Sequence, residues 1–255
     1  MVASTLLTTT QVTGSNLSHI ALALNNIAMS HNIIDRISIQ VGLSGYSFKI
    51  HTADGIKASG WMSADRIFTT SEFLQRYDEV EISVFTPKAS LVPEQFHEDA
   101  LSRSMLSPVA DLEEGDVVRS VHVPEFAAVL VYSNTIGETL SRAVSETVLD
   151  KQGNKTCPLP EMYYMLRSVL DLPDYNKILA SYMDGILYLV IAQGKSLMLC
   201  NSFHAPDFTT AQYFIFLAMK NLQLNPEVST ICFRTPLSED EEMSLYRYFK
   251  NVEQV

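Results

Sequence analysis

One pattern constrains this chain more than any other, because it occurs twice. Arg36 to Met62, RISIQVGLSGYSFKIHTADGIKASGWM, reads as three short antiparallel strands. Ile37, Ile39 and Val41 alternate with Ser38 and Gln40, the period of two of a strand with one polar face. Leu43-Ser44-Gly45 breaks the run. Tyr46, Phe48 and Ile50 then alternate with Ser47, Lys49 and His51. Ala53-Asp54-Gly55 reads as a hairpin turn, because Asp and Gly tolerate positive φ. Lys177 to Ser202, KILASYMDGILYLVIAQGKSLMLCNS, has the same shape, with a break at Asp184-Gly185 and a turn at Gln193-Gly194.

A constant offset links the copies. Gly45 and Gly185 lie 140 positions apart, and so do Phe48 and Tyr188, and Phe68-Thr69-Thr70 and Phe208-Thr209-Thr210. Thr69-x-x-Glu72 and Thr209-x-x-Gln212 read as capping boxes, so each triple strand is expected to lead into a helix. Each helix leads to a strand ending in Thr-Pro, Val80 to Thr86-Pro87 and Val228 to Thr235-Pro236. The order β-β-β-α-β therefore occurs twice, which points to a duplicated domain and not to a solenoid of short repeats.

The rest of the chain fits around these copies. Residues 1–32 form an N-terminal segment in which Leu17, Ile20, Leu24 and Ile27 have the spacing of a short helix. The first half is placed at 33–150. It takes in a helix from Thr70 to Tyr77, a helix from Pro93 to Met105, strands at Val117 to Val123 and Phe126 to Tyr132, and a helix from Ile136 to Leu149. FAAVLVY is almost wholly apolar, so that strand is expected to be central and covered on both faces. Residues 151–175 are read as a linker and helix, on the strength of the polar DKQGNKTCPLP and the run that starts at Glu161. The second, shorter half is placed at 176–255, with a capping box at Ser238-x-x-Glu241 and a final strand missing or borrowed.

Composition narrows the chemistry. With 29 acidic and 18 basic residues the net charge is −11, which disfavours broad binding to nucleic acid or anionic lipid. Cys157, Cys200 and Cys232 are scattered, without a CxxC or zinc spacing, as suits a reducing cytoplasm. Met1 to Thr10 has no Lys or Arg to head a secretory signal, and no apolar run reaches the ~18 residues of a membrane helix. The expected location is cytoplasmic, with no membrane span.

The ISIQVGLSGYSFKI strand pair, its Asp-Gly turn and the later ILYLVIAQGKSLMLCNSF block resemble an uncharacterised Bacteroidetes family of unknown function with an actin-like ATPase fold. The resemblance covers roughly residues 33–255. It implies an α/β protein with mixed sheets, built from two ribonuclease-H-like β-β-β-α-β-α halves that face a nucleotide cleft. In active members of that fold each half carries an acid on its first strand, and turn amides cradle phosphate. Carried across, those positions fall on Gln40, Gly42, Ser44 and Gly45 in the first copy. In the second they fall on Ala180 and Tyr182, with Asp184 and Gly185 in the turn, Asp184 aligning with Ser44. Both acids are missing, and Asp-Gly is ordinary turn chemistry. The late Gly-Gly loop that grips adenosine is missing too, since the last glycine is Gly194.

Other chemistries find little support. Glu81 stands alone on its strand, whereas ribonuclease-H nucleases need several carboxylates for two metals. There is no Gly-x-Ser-x-Gly, and His51, His122 and His204 are isolated. Met162-Tyr163-Tyr164-Met165 and Tyr213-Phe214-Ile215-Phe216 read as helix core or as a partner groove. The expected function is a non-catalytic degenerate actin-like module, without cofactor, metal or catalytic residues, that binds a protein partner or self-associates. The alternative is an atypical nucleotide or phosphate binder, or a kinase-like protein, using ATP with magnesium in the cleft.

Overall fold

Alternating apolar residues fold the first copy into a sheet with one core face. In a computed structural model that describes residues 35–255, β1 (Arg36–Val41) pairs antiparallel with β2 (Gly45–Thr52), and β2 pairs with β3 (Gly55–Ala58) and with the two-residue β4 (Met62–Ser63). The helix expected over 1–32 lies outside the described residues. The β5 pair (Arg76–Tyr77) leads into β6 (Glu79–Val84), which lies parallel to β1. Ile37, Ile39, Val41, Tyr46, Phe48 and Ile82 point to one side, where they pack with Ile67, Phe73, Val144 and Val148.

A second, smaller sheet interrupts this half. It consists of β7 (Ala89–Pro93), β8 (Val118–Val123) and β9 (Ala128–Ser133), with β9 in the middle and buried along its whole length. The apolar FAAVLVY run is thus central, but to a three-stranded sheet, and Phe126 ends a 3₁₀ turn before it. The helix expected from Pro93 is mostly absent. Pro93 closes β7, 3₁₀ turns follow, and only α1 (Ser102–Leu106) is helical, because Pro93 pairs in the ladder with Ala128. The chain returns through α2 (Glu138–Thr147), β10 (Leu149–Asp150) beside β5, and β11 (Leu159–Pro160) beside β6. The large first sheet therefore runs β11-β6-β1-β2-β3.

After α3 (Glu161–Ser168) the plan repeats. β12 (Asn176–Met183), β13 (Ile186–Gln193) and β14 (Ser196–His204) form an antiparallel meander. α4 (Phe208–Asn221) leads to β15 (Thr230–Phe233), parallel to β12, and α5 (Glu239–Tyr246) leads to β16 (Asn251–Gln254), parallel to β15. The sheet order is β14-β13-β12-β15-β16, so the second sheet has its own last strand and borrows none. The residues Asn-Val-Glu-Gln carry too little alternation to announce it; pairing with β15 makes the strand.

The two helix starts read as twins also differ. Thr69 ends a 3₁₀ turn, Ser71–Leu74 forms another, and neither has a side-chain cap. In the second copy the cap is Asp207, which accepts from the Thr210 amide, and Thr209 lies inside α4. The Ser238–Glu241 capping box forms as read.

The offset of 140 fails by one residue in the strands. Odd-numbered residues of β1 and even-numbered residues of β2 face the first core. Even-numbered residues of β12 (Ile178, Ala180) and odd-numbered residues of β13 (Leu187, Leu189, Ile191) face the matching core of the second sheet. A one-residue shift moves every side chain to the opposite face. Phe48 therefore matches the leucines of β13, while Tyr188 points the other way. The hairpin turns absorb the difference: Val41 pairs with Tyr46 across four residues, Met183 with Ile186 across two.

Candidate functional site

The two sheets meet around α3, and the faces they turn to it differ in kind. The second sheet offers Leu179, Tyr188, Val190, Ala192 and Cys232, packed against Met162, Met165, Leu166 and Val169. The MYYM run is thus helix core: Met162, Tyr164 and Met165 are buried. The first sheet offers Ser38, Gln40, Ser47, Lys49 and Ser83, all polar.

Glu161, at the start of α3, joins the two. Its side chain is wholly buried and accepts from Gln40 Nε2 at 2.9 Å, Ser181 Oγ at 2.7 Å and Arg234 Nε at 2.9 Å, and also from Ser83 Oγ. These donors come from β1, β12, β6 and the segment after β15, so one carboxylate holds both sheets. Burial alone pushes the Glu161 carboxyl up, but the Arg234 guanidinium and the Ser83 and Ser181 hydroxyls outweigh it and hold it below the ordinary 4.5. Arg234 also lies over the Tyr164 ring, 5.9 Å from its centroid. With its oxygens engaged and no exposure, Glu161 is a tie between elements and not a base awaiting a substrate.

Above this tie the two hairpin turns touch. Asp184 Oδ2 accepts from the Leu43 amide at 2.8 Å. A Cβ on Gly42 would stand 2.7 Å from that oxygen and 3.0 Å from the Trp61 ring, so only glycine permits the approach. A Cβ on Gly45 would meet the Met62 carbonyl at 2.1 Å. Asp184 (φ 53°) and Gly185 (φ 73°) form a tight left-handed pair that aims the carboxylate across at the first turn.

The residues expected at a phosphate loop are therefore only partly brought together. Gly42 and Asp184 meet. Gln40 lies deeper and is used by Glu161. Ser44 and Gly45 are engaged through their carbonyls, which accept from the Ala64 and Gly42 amides, and the Gly185 carbonyl accepts from Ala205. Ala180 does not face Gln40 at all, since it lies in the opposite core; Leu179 and Ser181 are the residues turned inward. Asp184 does not take the place of Ser44 but reaches the neighbouring amide. A magnesium-bound triphosphate does not fit this arrangement, because a carboxylate occupies the turn amide and the indole crowds the glycine. Among the described residues no three His, Cys, Asp or Glu side chains converge as a metal site.

Glu161, Ser83, Ser181, Arg234 and Trp61 are the residues that sequence reasoning missed. A single carboxylate heading an otherwise apolar helix, EMYYML, was the available signal. Glu81 is half-buried and accepts from Ser38 Oγ at 2.7 Å, rather than standing free in solvent. His122 and His204 are exposed, and His51 lines a cleft on the first sheet.

A family model described as "Protein of unknown function (DUF3822)" matches residues 8–252. No curated protein matches the chain. Among solved structures, a Bacteroides thetaiotaomicron VPI-5482 protein with actin-like ATPase fold and unknown function is 17% identical, with a TM-score of 0.60 over 89% of this chain and 92% of that one. The PilM–PilN type IV pilus biogenesis complex matches at 12% identity and TM-score 0.48, over 88% and 89% of the two chains. The cytoplasmic domain of EpsL, an inner membrane component of the Vibrio cholerae type II secretion system, matches at 14% and 0.40, over 80% and 83%. The mixed α/β fold with two mixed sheets is the actin-like one, shared with the Bacteroides protein at an identity that speaks for fold alone.

Proposed function

This chain belongs to the DUF3822 family of proteins of unknown function, and we propose that it is a non-catalytic actin-like module that binds a protein partner or assembles with its own copies. The observation that carries this reading is the Asp184 carboxylate on the Leu43 amide. The protein fills its own turn with the kind of group, an oxygen anion, that a phosphate would bring. We take residues 33–150 and 176–255 as the two halves, locked together by this contact and by Glu161. Outside the junction, α4, α5 and the turn after α5 leave Tyr213, Met243 and Tyr248 more than half exposed, beside Leu217. Phe216 packs edge-on against Tyr248 and Tyr213 against Phe214, and exposed aromatic and Met side chains of this kind are the composition found at interface centres. Ile215 is core and Tyr213 is surface, which divides the YFIF run between the two roles. No described helix is long and apolar enough to cross a membrane.

Isothermal titration and phosphate-release assays with millimolar ATP and magnesium are expected to show neither binding nor turnover in the wild type. Turnover lost in Asp184→Asn would overturn the reading and favour an ATP-dependent enzyme. Light scattering of wild type and Tyr213→Glu separates the two arms. An oligomer that dissociates on substitution identifies self-assembly, and a monomer directs attention to a different protein as partner.

A further inference from the structure

The polar face of the first sheet is not fully covered by α3. Between them opens a cleft of about 550 Å³, within the size range of small-molecule sites. None of the turn residues Gly42 to Gly45, nor Asp184 or Gly185, lines it, so it is separate from the junction of the turns. Basic side chains gather on its sheet wall. Arg36 and His51 are directly opposed across β1 and β2, and Lys49, opposite Ser38, is the next inward residue on that face. Arg167 faces them from the end of α3. Burial and the neighbouring Arg36 and Lys49 cations hold the His51 imidazole below its ordinary 6.5, a shift that a bound anion would reverse. Arg36 has no carboxylate within ion-pair distance among the described residues; the Lys49 Nζ donates to the Arg234 and Val255 oxygens at the cleft's edge, and the Arg234 guanidinium is committed to Glu161. Among the described residues, Arg36 Nε is buried without a hydrogen-bond partner. Burial and the neighbouring Arg234 lower the Lys49 ammonium to about 8, with Glu161 opposing only in part.

Such features mark a site built for an anion that is not part of the chain. Arginine forks and a lysine suit a phosphate group. Glu81, Glu125 and Asp171 also line the cleft. They would repel a bare polyanion but accept hydrogen bonds from hydroxyl groups. We infer that this cleft binds a phosphate group, on Arg36, Lys49 and His51, carried as free phosphate or as the monoester of a small hydroxylated molecule.

The test is titration of the intact protein with inorganic phosphate, glycerol 3-phosphate and glycerol, against chloride at equal ionic strength. Saturable binding of one or both phosphates, but not of glycerol, is expected, with movement of the His51 ring signals in the NMR spectrum. Tighter binding of glycerol 3-phosphate identifies the monoester as the ligand class, and equal or tighter binding of inorganic phosphate identifies the free anion. Arg36→Gln and Lys49→Gln should each weaken binding roughly tenfold, the scale of one lost charge-assisted contact. Should Arg36→Gln fail to fold, Lys49→Gln and the His51 signals decide. Lys57→Gln, on an exposed residue paired with Glu72 outside the cleft, should leave affinity unchanged. No saturable binding, unmoved His51 signals, or equal loss in Lys57→Gln would each overturn the inference.

Discussion

The two large sheets share an order of strands and differ in what they turn toward α3. The second presents Leu179, Tyr188 and Val190, and α3 seals onto it chiefly through apolar side chains, with Ser181 and Arg234 reaching Glu161 at its start. The first presents Gln40, Lys49 and Ser83 and meets the helix through one carboxylate. Duplicated topology thus supports two kinds of interface. The apolar one gains from area and holds the helix in place. The polar one gains little from area, so it needs specific partners, and where these run out a cleft remains.

Breaking the apolar face should have the largest effect. Val190→Asp puts an unpaired carboxylate into a fully buried position, at a cost of several kcal/mol, comparable with the whole stability of a domain. Insoluble protein is expected, or protein without a cooperative melt; a soluble, cooperatively melting variant would contradict the comparison. The polar face should break next. Glu161→Ala strands Arg234, Gln40, Ser83 and Ser181 together, and removing one partner of a buried ion pair costs about 3–5 kcal/mol. Glu161→Gln keeps the shape and should cost less in a denaturant titration. If both substitutions proved neutral, Glu161 would not be the tie.

The meeting of the turns should be more tolerant. Gly42→Ala drives a methyl against Asp184 and Trp61, and overpacking of this kind costs about 1–3 kcal/mol. Pairing it with Asp184→Gly, which removes the closest obstacle, should restore part of the loss; a purely additive double variant would show that the two turns do not press on each other.

The smallest effect is on pH dependence. Lys49 titrates at about 8 in the fold but at its ordinary 10.5 when unfolded, so between these values the unfolded chain binds more protons. Stability contributed by this residue therefore rises with pH from 8 toward 10.5. Tyr77 and Tyr132, raised to about 12 chiefly by burial, act oppositely once the unfolded tyrosines ionise near 10. Cys200 and Cys232, raised from 9 to about 12 chiefly by burial, also act oppositely once unfolded thiols ionise near 9. Lys49 is therefore isolated as the difference between wild type and Lys49→Met, in which its contribution to the slope should vanish. Identical slopes for the two proteins would show that Lys49 is not desolvated.

Much of this was legible in the chain, and what was not has physical causes. Alternation in Arg36–Val41 and Lys177–Ser202 marked the meanders, because a strand with one core face must alternate. The same patterns left the pairing of the copies open by one residue, since hairpin loops of different length shift the register without changing the look of the strands. Capping boxes are short matches, and Thr69 shows how local geometry overrides one. Phosphate-loop positions could be proposed from the turns, but Asp184 was readable only as a turn residue.

The sequence by itself determined two sheets of repeated design, a central apolar β9, a net negative charge and the absence of carboxylates on β1 and β12. These follow from local periodicity and composition, which need no knowledge of distant partners. Only the tertiary structure decided that Asn251–Gln254 completes the second sheet, that Asp184 reaches the Leu43 amide and that Glu161 collects four donors. Each is a contact between residues far apart in the chain. The energy of a buried carboxylate depends on which donors surround it, and that set exists only once both sheets have closed on α3.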